Sequence, residues 1–375
     1  MFVVAGLGAG GAERVISLMA SAWVAEGQAV TIVAFDHADD PVFHDFDRRI
    51  TLVRLGPARE DGGRVGRMMM TTNRILTLRA VIRAVAPDVV ISFLTKINVV
   101  TLLATVGTRV PVVVSERNNP LLQNANRGWN VALARLYPRA AVVVMQTRAS
   151  LICLPAAVRA TAKVIPNPIA PVHSVPATAG GNVLVAAGRL THQKGFDVLI
   201  DAFAQACGAH PQWQLRIWGE GPLRQELEDR VEGLGLADRI VLPGNSKRPG
   251  AWLDGATAMV LASRYEGFPN VLGEAMASGL PVVAFDCAFG PGEMIDDDIT
   301  GMLVPPGDVA ALGRALDRIM TDACLRERLG NAAVAAVSRY RPGAVLAEWS
   351  TVVDRCLAVT ESSERPARQS IGRTA

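Results

Sequence analysis

Two glutamates flank a predicted strand-to-helix turn in the second half of the chain. Glu266 lies in the loop after an apolar run at 258–261, and Glu274 lies one turn inside a helix that we expect to begin near Asn270 and to end at Gly279. The unbonded N–H groups of the first helical turn, around residues 270–272, suit an anion. This stretch therefore offers phosphate donors and two acceptors for hydroxyl groups, which a nucleotide-sugar requires. The candidate binding residues of this turn are Gly267, Phe268, Asn270, Val271, Leu272 and Glu274.

A second group of charged residues follows another predicted strand. The run Gly188-Arg-Leu-Thr-His-Gln-Lys194 lies between a strand over 182–187 and a helix over 196–207. Because Arg189 and Lys194 share one loop, both can point at the same pair of phosphates. Cleavage of a sugar–diphosphate bond builds negative charge on the leaving nucleotide, and two fixed cations stabilise that charge without a metal ion. We therefore predict that Arg189 and Lys194 are catalytic and that no metal or other cofactor is required.

A glycine-rich loop follows the first predicted strand. Gly6, Gly8 and Gly11 have the spacing of a dinucleotide-binding loop, and Asp36 ends the next strand, where an acid can bind a ribose. This pattern leaves open a different function, that of an oxidoreductase that uses NAD(P) or FAD. The backbone N–H groups of such a loop suit the phosphates of a nucleotide-sugar equally well.

The elements that carry these residues alternate between strand and helix along the whole chain. This alternation is typical of parallel, doubly wound sheets, in which ligands bind beyond the carboxyl ends of the strands. A segment over 165–181 with four prolines and two adjacent glycines interrupts the alternation. The sequence therefore predicts two similar α/β halves joined by a linker.

The composition narrows the class of protein. The 375 residues are 50% hydrophobic with a net charge of only +3, which gives no indication of nucleic-acid binding. We find neither a signal peptide nor an uninterrupted run of the ~20 apolar residues that a membrane span needs. The five cysteines are far apart, which favours a reducing compartment over a zinc cluster. We read Asp45-Phe-Asp47 as a coincidental resemblance to a manganese motif, and we expect a cytoplasmic protein.

A basic stretch lies in the first half of the chain. The region Arg59–Arg83 interleaves arginines with methionines and leucines. Such a segment can rest on anionic lipid or bind a polyprenyl diphosphate. A solvated helix that packs one apolar side on the core is the alternative.

Several of these motifs resemble one enzyme family. Glu266-Gly-Phe-Pro-Asn-Val-Leu-Gly-Glu274 resembles the two-glutamate motif of retaining glycosyltransferases of family 4, which have the GT-B fold. The run 188–195 is similar to the phosphate-binding loop of that family, and Gly10-Gly11-Ala-Glu-Arg14 to its first glycine loop. Ser115-Glu-Arg-Asn118 is similar to a run in bacterial enzymes that act on lipid-linked oligosaccharides. Asp286-Cys-Ala-Phe-Gly-Pro-Gly-Glu293 also matches many bacterial members, except that Ala288 replaces the usual proline.

The resemblance implies a role for each matching residue. Glu274 would hold the ribose hydroxyls, while Arg189 and Lys194 would hold the diphosphate. Glu266 would be a catalytic residue that contacts the donor sugar near its reacting face. The implied further contacts are Gly188 at the diphosphate, Gly10 and Gly11 from the first domain, Glu116 and Arg117 at the acceptor, and Gly244 beside the nucleotide base.

The resemblance also implies an architecture and a reaction. We expect two Rossmann-like domains facing a central cleft: residues 1–167, a linker over 168–181, residues 182–340, a helix over 341–360 that returns to the first domain, and a disordered tail over 361–375. The enzyme would be a hexosyltransferase that moves a hexose or N-acetylhexosamine from a nucleotide-sugar, expected to be a UDP-sugar, with retention. The acceptor would be a saccharide, including a polyprenyl-diphosphate-linked one at the inner membrane face. A non-catalytic sugar-nucleotide-binding protein is the other alternative.

Overall fold

The computed structural model describes residues 1–8, 10–56, 64–117, 127–170, 172 and 181–364. The chain divides into two compact units. The first comprises residues Met1–Ile165 and the residues from Gly343 onward, and the second comprises Pro166–Pro342.

The first unit is built on one parallel sheet. Its strands are β1 (Phe2–Val4), β2 (Thr31–Ala34), β3 (Thr51–Arg54), β4 (Val90–Phe93), β5 (Val112–Ser115), β6 (Val142–Met145) and β7 (Lys163–Val164). Its helices are α1 (Gly11–Ala25), α2 (Arg64–Val85), α3 (Thr95–Ala104), α4 (Arg127–Leu136) and α5 (Ala156–Arg159), with α12 (Pro342–Glu364) added from the end of the chain.

The second unit repeats this plan. Its strands are β8 (Val183–Ala187), β9 (Gln214–Trp218), β10 (Ile240–Gly244), β11 (Ala258–Leu261), β12 (Val282–Phe285) and β13 (Met302–Val304). Its helices are α6 (Phe196–Ala206), α7 (Arg224–Gly233), α8 (Asn270–Ala277), α9 (Pro291–Met294), α10 (Val309–Thr321) and α11 (Ala323–Ala336).

The strand order places the predicted loops at equivalent points of the two sheets. The orders are β3-β2-β1-β4-β5-β6-β7 and β10-β9-β8-β11-β12-β13, with all neighbouring pairs parallel. In each sheet the order reverses beside the first strand, between β1 and β4 or between β8 and β11, where doubly wound sheets bind their ligands. The predicted fold class, two Rossmann-like α/β domains, is therefore confirmed.

Apolar strands explain why each sheet is covered on both faces. Strands such as β8 (Val-Leu-Val-Ala-Ala) are fully buried, so their side chains pack against helices on either side. In β11 the alternating residues Ala258 and Val260 belong to one core, whereas Met259 and Leu261 belong to the core on the opposite face.

Helix α12 closes the core of the first unit. The Trp349 side chain is fully buried there, and its ring lies 6.0 Å from that of Phe93. The boundary between the units lies at Ile165, slightly earlier than predicted, because the next residues pack with the second unit. The helix also continues to Glu364, beyond the predicted end at residue 360, and residues 365–375 of the predicted disordered tail lie outside the described part.

Helix α2 carries most of the basic stretch. Residues 57–63, at the start of that stretch, lie outside the described part of the chain. Met69 and Leu76 are exposed by 69% and 60%, whereas Leu78 is buried against the sheet. None of the described helices combines the length and apolar character needed to cross a membrane.

Replacement of Trp349 tests the contribution of α12. We expect Trp349→Ala to lower the free energy of unfolding by about 3–5 kcal/mol, since it empties a fully buried aromatic site. Asp354→Ala, at an exposed position of the same helix, serves as the control. Denaturant unfolding followed by circular dichroism measures both, and equal stabilities would show that α12 adds little to this core.

Candidate functional site

An ion pair joins two of the predicted catalytic residues. Lys194 Nζ lies 2.6 Å from Glu266 Oε1, and the two side chains are only 18% and 6% exposed. Lys194 lies in the turn between β8 and α6, and Glu266 lies in the loop after β11. Because β8 and β11 are neighbours in the sheet, their carboxyl ends bring together residues far apart in sequence.

Further contacts fix the two loops against each other. Arg264 donates its backbone N–H to the Gln193 carbonyl at 2.8 Å, and Gln193 Nε2 donates to the Tyr265 carbonyl at 3.0 Å. The Arg264 guanidinium also pairs with both oxygens of Asp197, at 2.9 and 2.6 Å. The ion pair is therefore held by a rigid frame, which limits the freedom of both side chains.

Glycines make this close packing possible. Gly195 has a positive φ of +63°, and a Cβ there would lie 2.1 Å from the Ala262 carbonyl oxygen. A Cβ on Gly188 would lie 3.1–3.2 Å from three carbons of the Lys194 side chain. The glycine run therefore lets the lysine cross the loop and reach Glu266.

Arg189 does not join this pair. Its side chain is exposed and makes no hydrogen bond or ion pair with the described residues. Its loop is nevertheless anchored, because Gly188 N–H bonds the Trp218 carbonyl and Leu190 N–H bonds the Glu220 carbonyl, each at 2.9 Å. The predicted convergence of Arg189 and Lys194 on one diphosphate stays a prediction.

Helix α8 has fewer open backbone N–H groups at its start than the sequence indicated. Leu272 N–H bonds the Pro269 carbonyl at 3.0 Å, so only the N–H groups of Asn270 and Val271 lack an acceptor among the described residues. The predicted anion site at 270–272 therefore loses Leu272. The side chains of Phe268 and Leu272 are buried in the core, so neither side chain is directed at a ligand.

The remaining predicted residues of the second unit lie around this region. Glu274 is 6% exposed inside α8. Gly244 has a φ of +88°, and its carbonyl accepts the Gly219 N–H at 2.8 Å. The loop after β12 also approaches the ion pair, since the Ala288 carbonyl accepts the Glu266 N–H at 3.5 Å.

Two buried side chains at this site were not among the predicted site residues. Burial, reinforced by the charge of Glu266, raises the pKa of Cys287 to about 12, so this residue stays a neutral thiol beside the ion pair. Ser263 is 1% exposed, and its hydroxyl has no hydrogen-bond partner among the described residues. The signal for both was their place directly after strands β12 and β11.

In the first unit, the carboxylate of Asp36 holds the glycine loop that follows β1. Leu7 donates its backbone N–H to Asp36 Oδ2 at 2.7 Å, and Arg54 Nε bonds the other oxygen at 2.5 Å. Asp36 thus holds the loop, which differs from the open ribose-binding acid of the oxidoreductase alternative. Helix α1 begins at Gly11, and a Cβ on Gly10 would lie 1.9 Å from Glu13 Oε2.

Glu116 lies in a buried polar cluster of the first unit. Thr95 Oγ1 donates to Glu116 Oε2 at 2.8 Å, while Asn98 Nδ2 and the Tyr137 hydroxyl donate to Oε1. Burial raises the pKa of this carboxyl to about 7, although the three donors lower it in part. The structure thus gives Glu116 internal partners, and its predicted contact with an acceptor stays a prediction.

Arg117 stacks on aromatic rings beside this cluster. Its guanidinium carbon lies 4.5 Å from the Phe93 ring centre and 5.5 Å from that of Trp349. Burial lowers the pKa of Arg117 to about 9, so it stays charged at neutral pH. Asn118 and the residues that follow it, to 126, lie outside the described part.

The Glu116 carboxyl predicts a dependence of stability on pH. Because the folded protein holds this proton more tightly than the unfolded chain, the stabilisation is complete below pH 4.5 and is lost as pH rises through about 7. We expect wild type to lose about 3 kcal/mol more than Glu116→Gln between pH 4 and pH 8. Denaturant unfolding at several pH values tests this, with exposed Glu232→Gln as control. Parallel pH profiles for wild type and Glu116→Gln would contradict it.

Comparisons with known proteins support one family. A family profile described as glycosyl transferase 4-like domain matches residues 10–168, and one described as glycosyl transferases group 1 matches residues 173–335. An exopolysaccharide phosphotransferase of Streptomyces coelicolor is 34% identical over 206 residues, which are 55% of this chain but only 22% of that protein.

A second relative matches along nearly its whole length. The GalNAc-alpha-(1->4)-GalNAc-alpha-(1->3)-diNAcBac-PP-undecaprenol alpha-1,4-N-acetyl-D-galactosaminyltransferase of Campylobacter jejuni is 25% identical over 356 residues, 94% of this chain and 97% of that protein. The crystal structure of Anabaena HepE in complex with UDP superposes with a TM-score of 0.76 at 20% identity, covering 94% and 99% of the two chains. That likeness shows the fold. The two family profiles, which together span most of both units, show that the chain belongs to the group 1 glycosyltransferases of family 4, the GT-B enzymes, and not to the dinucleotide oxidoreductases.

Proposed function

We propose that the protein is a retaining hexosyltransferase that uses a nucleotide-sugar, with UDP as the nucleotide. The observation that carries this proposal is the Lys194–Glu266 ion pair in the second unit, together with the open N–H groups of Asn270 and Val271 at the start of helix α8, which follows the loop of Glu266. The name of the Campylobacter jejuni relative, which describes transfer of an N-acetylhexosamine, supports the class of sugar. UDP bound in Anabaena HepE supports the nucleotide.

In the proposed reaction, the ion pair exchanges partners. The donor diphosphate takes the Lys194 ammonium from Glu266, and exposed Arg189 adds a second positive charge. These cations stabilise the charge that develops on the leaving phosphate, so a metal ion is not part of the proposal. Glu266 then faces the donor sugar, and Glu274 holds the ribose. We infer front-face attack by the acceptor hydroxyl, since no second carboxylate stands out, among the described residues and the motifs that carry them, as an obviously placed nucleophile.

The acceptor we propose is a saccharide carried on a polyprenyl diphosphate, in the assembly of a cell-surface polysaccharide. The acceptor named for the Campylobacter jejuni relative is of this kind. We place the enzyme in the cytoplasm, peripherally on the inner face of the membrane. Helix α2 supports this, because Met69, Leu76 and Arg83 are exposed and follow one another at about two helical turns.

Replacement of Lys194 tests the chemistry. We expect Lys194→Ala to lower the release of UDP from a UDP-sugar about 100- to 1000-fold, since the leaving phosphate loses a fixed cation. Lys163→Ala, an exposed lysine of the first unit, should leave the rate unchanged. Screening UDP- and GDP-sugars in a hydrolysis assay with EDTA identifies the donor. A wild-type protein that binds the nucleotide but never turns over would support the non-catalytic alternative.

A double variant separates catalysis from stability. Lys194→Ala leaves a buried carboxylate without its partner, which alone destabilises the fold. In Lys194→Ala with Glu266→Gln, that penalty is relieved, so the melting temperature should recover while activity stays low. Recovery of activity along with stability would contradict the catalytic roles of both Lys194 and Glu266.

The membrane contact has its own test. We expect Met69→Asp with Leu76→Asp to reduce binding to phosphatidylglycerol vesicles at least tenfold, since acidic groups replace apolar ones on the exposed face of α2. Flotation with phosphatidylglycerol and phosphatidylcholine vesicles measures the effect. Ile152→Asp, at a position 66% exposed in the same unit, is the matched control. Equal vesicle binding by wild type and the α2 variant would contradict this contact.

A further inference from the structure

Asn167, at the start of the second unit, bonds the first residue of helix α8. The side chain of Asn167 is 4% exposed, and its Nδ2 donates to Asn270 Oδ1 at 2.7 Å. An amide whose oxygen is held by a donor must direct its nitrogen elsewhere. Asn270 Nδ2 makes no hydrogen bond within the described part of the chain, so its two N–H groups stay available.

The first turn of α8 depends on this amide, because no other residue of that turn has a polar side chain. Pro269 stands at the N-cap position, where it gives no side-chain hydrogen bond. The backbone N–H groups of Asn270 and Val271 lack acceptors in the described chain. The Asn270 amide therefore adds side-chain donors to the backbone donors of the first turn, and Asn167 decides which way they point.

The segment that carries Asn167 is itself fixed on α8. Ile169 donates its backbone N–H to the Tyr340 carbonyl at 2.7 Å. Its Cδ1 lies 1.9 Å from where a Cβ on Gly273 would stand, so the glycine in α8 makes room for the isoleucine. The Tyr340 ring meets that of Phe268 edge-on at 5.4 Å. Asn167 is thus presented by a segment that is packed on both sides, as a positioning group requires.

We propose that Asn167 is a positioning residue for the donor diphosphate. By holding Asn270 Oδ1, it aims the Nδ2–H groups of Asn270 at a phosphate oxygen, next to the backbone N–H groups of the first turn. This inference rests on the proposed function, since it requires a diphosphate at the start of α8. It also gives a function to Asn167, which lies in the proline-rich segment 165–181 that the sequence indicated only as a linker.

Binding of nucleoside diphosphates tests the proposal. The probes are UDP and GDP, titrated by calorimetry into wild type, Asn167→Ala, Asn270→Ala and the double variant. We expect Asn167→Ala to weaken binding of the preferred nucleotide about tenfold, which corresponds to the loss of one well-oriented hydrogen bond. Because Asn167 acts through Asn270, the double variant should bind no more weakly than Asn270→Ala alone. With a UDP-sugar, the loss should appear in the donor KM more than in kcat.

Asn167→Asp sharpens the test. A carboxylate only accepts hydrogen bonds, so Asn270 must turn its Nδ2 toward residue 167 and present its oxygen to the phosphates. We therefore expect Asn167→Asp to bind the nucleotide more weakly than Asn167→Ala does.

A control variant removes two hydrogen bonds at the opposite end of the sheet from the start of α8. Thr257 Oγ1 donates to the Gly181 carbonyl at 2.6 Å and accepts the Val183 N–H at 3.2 Å, at the amino end of the same sheet. Thr257→Ala should lower the melting temperature as much as Asn167→Ala does while leaving nucleotide affinity unchanged. A loss of affinity in both variants would reduce Asn167 to a structural role.

Two other outcomes would overturn the proposal, and they are distinguishable. If Lys194→Ala loses nucleotide binding while Asn167→Ala keeps it, the positioning role is wrong and the proposed function stands. If neither UDP nor GDP binds the wild type, both are wrong, because there is no diphosphate to position.

Discussion

The salt bridge between Lys194 and Glu266 is the interaction around which the second unit is arranged. The two charged side chains are only 18% and 6% exposed, so each needs the other as a partner. Removing an unpaired charge from water costs more free energy than its remaining contacts return. The neighbouring parallel strands β8 and β11 bring the two loops together, and the contacts among Gln193, Arg264 and Tyr265 fix their spacing. Such a pair is held in place, and in the proposed reaction the lysine exchanges this partner for the donor diphosphate.

The two units use one architecture with different local chemistry. Each has a glycine loop after the strand where the sheet order reverses, and each loop is bonded to the next strand or loop. In the first unit, Asp36 and Arg54 hold the loop, so the acid at the end of β2 is already engaged. In the second unit, backbone groups do this work, and the charged side chains Lys194 and Glu266 are left to pair across the sheet. The same strand order thus leaves a different set of functional groups in each unit.

Buried polar groups give the first unit a specific interior. Glu116 receives hydrogen bonds from three side chains, and the next residue, Arg117, stacks on Phe93 and on Trp349 of α12. A charged group is tolerated there because aromatic faces attract a guanidinium. The arrangement links the end of strand β5 to the last helix of the chain. Arg117, which is predicted to contact an acceptor, is therefore also part of the packing that holds α12 in place.

Local sequence signals determined the elements and the loops between them. The apolar run at 258–261 is the strand β11, and α8 begins at Asn270 and ends just before Gly279, whose φ of +74° explains why a glycine follows the helix. These features depend on neighbours in sequence, through periodicity and turn chemistry. The same local signals predicted that the loops with Lys194 and Glu266 come directly after β8 and β11.

The partners of the charged and polar groups depended on the tertiary structure. That Lys194 pairs with Glu266, that Asn167 reaches Asn270 and that Glu116 is buried beside Tyr137 follow from which strands are neighbours and which helices cover them. No local sequence pattern predicts these contacts, because they join residues that are far apart along the chain. The sequence therefore predicted which residues carry the chemistry, and the order of the parallel strands decided which of these predicted residues come together.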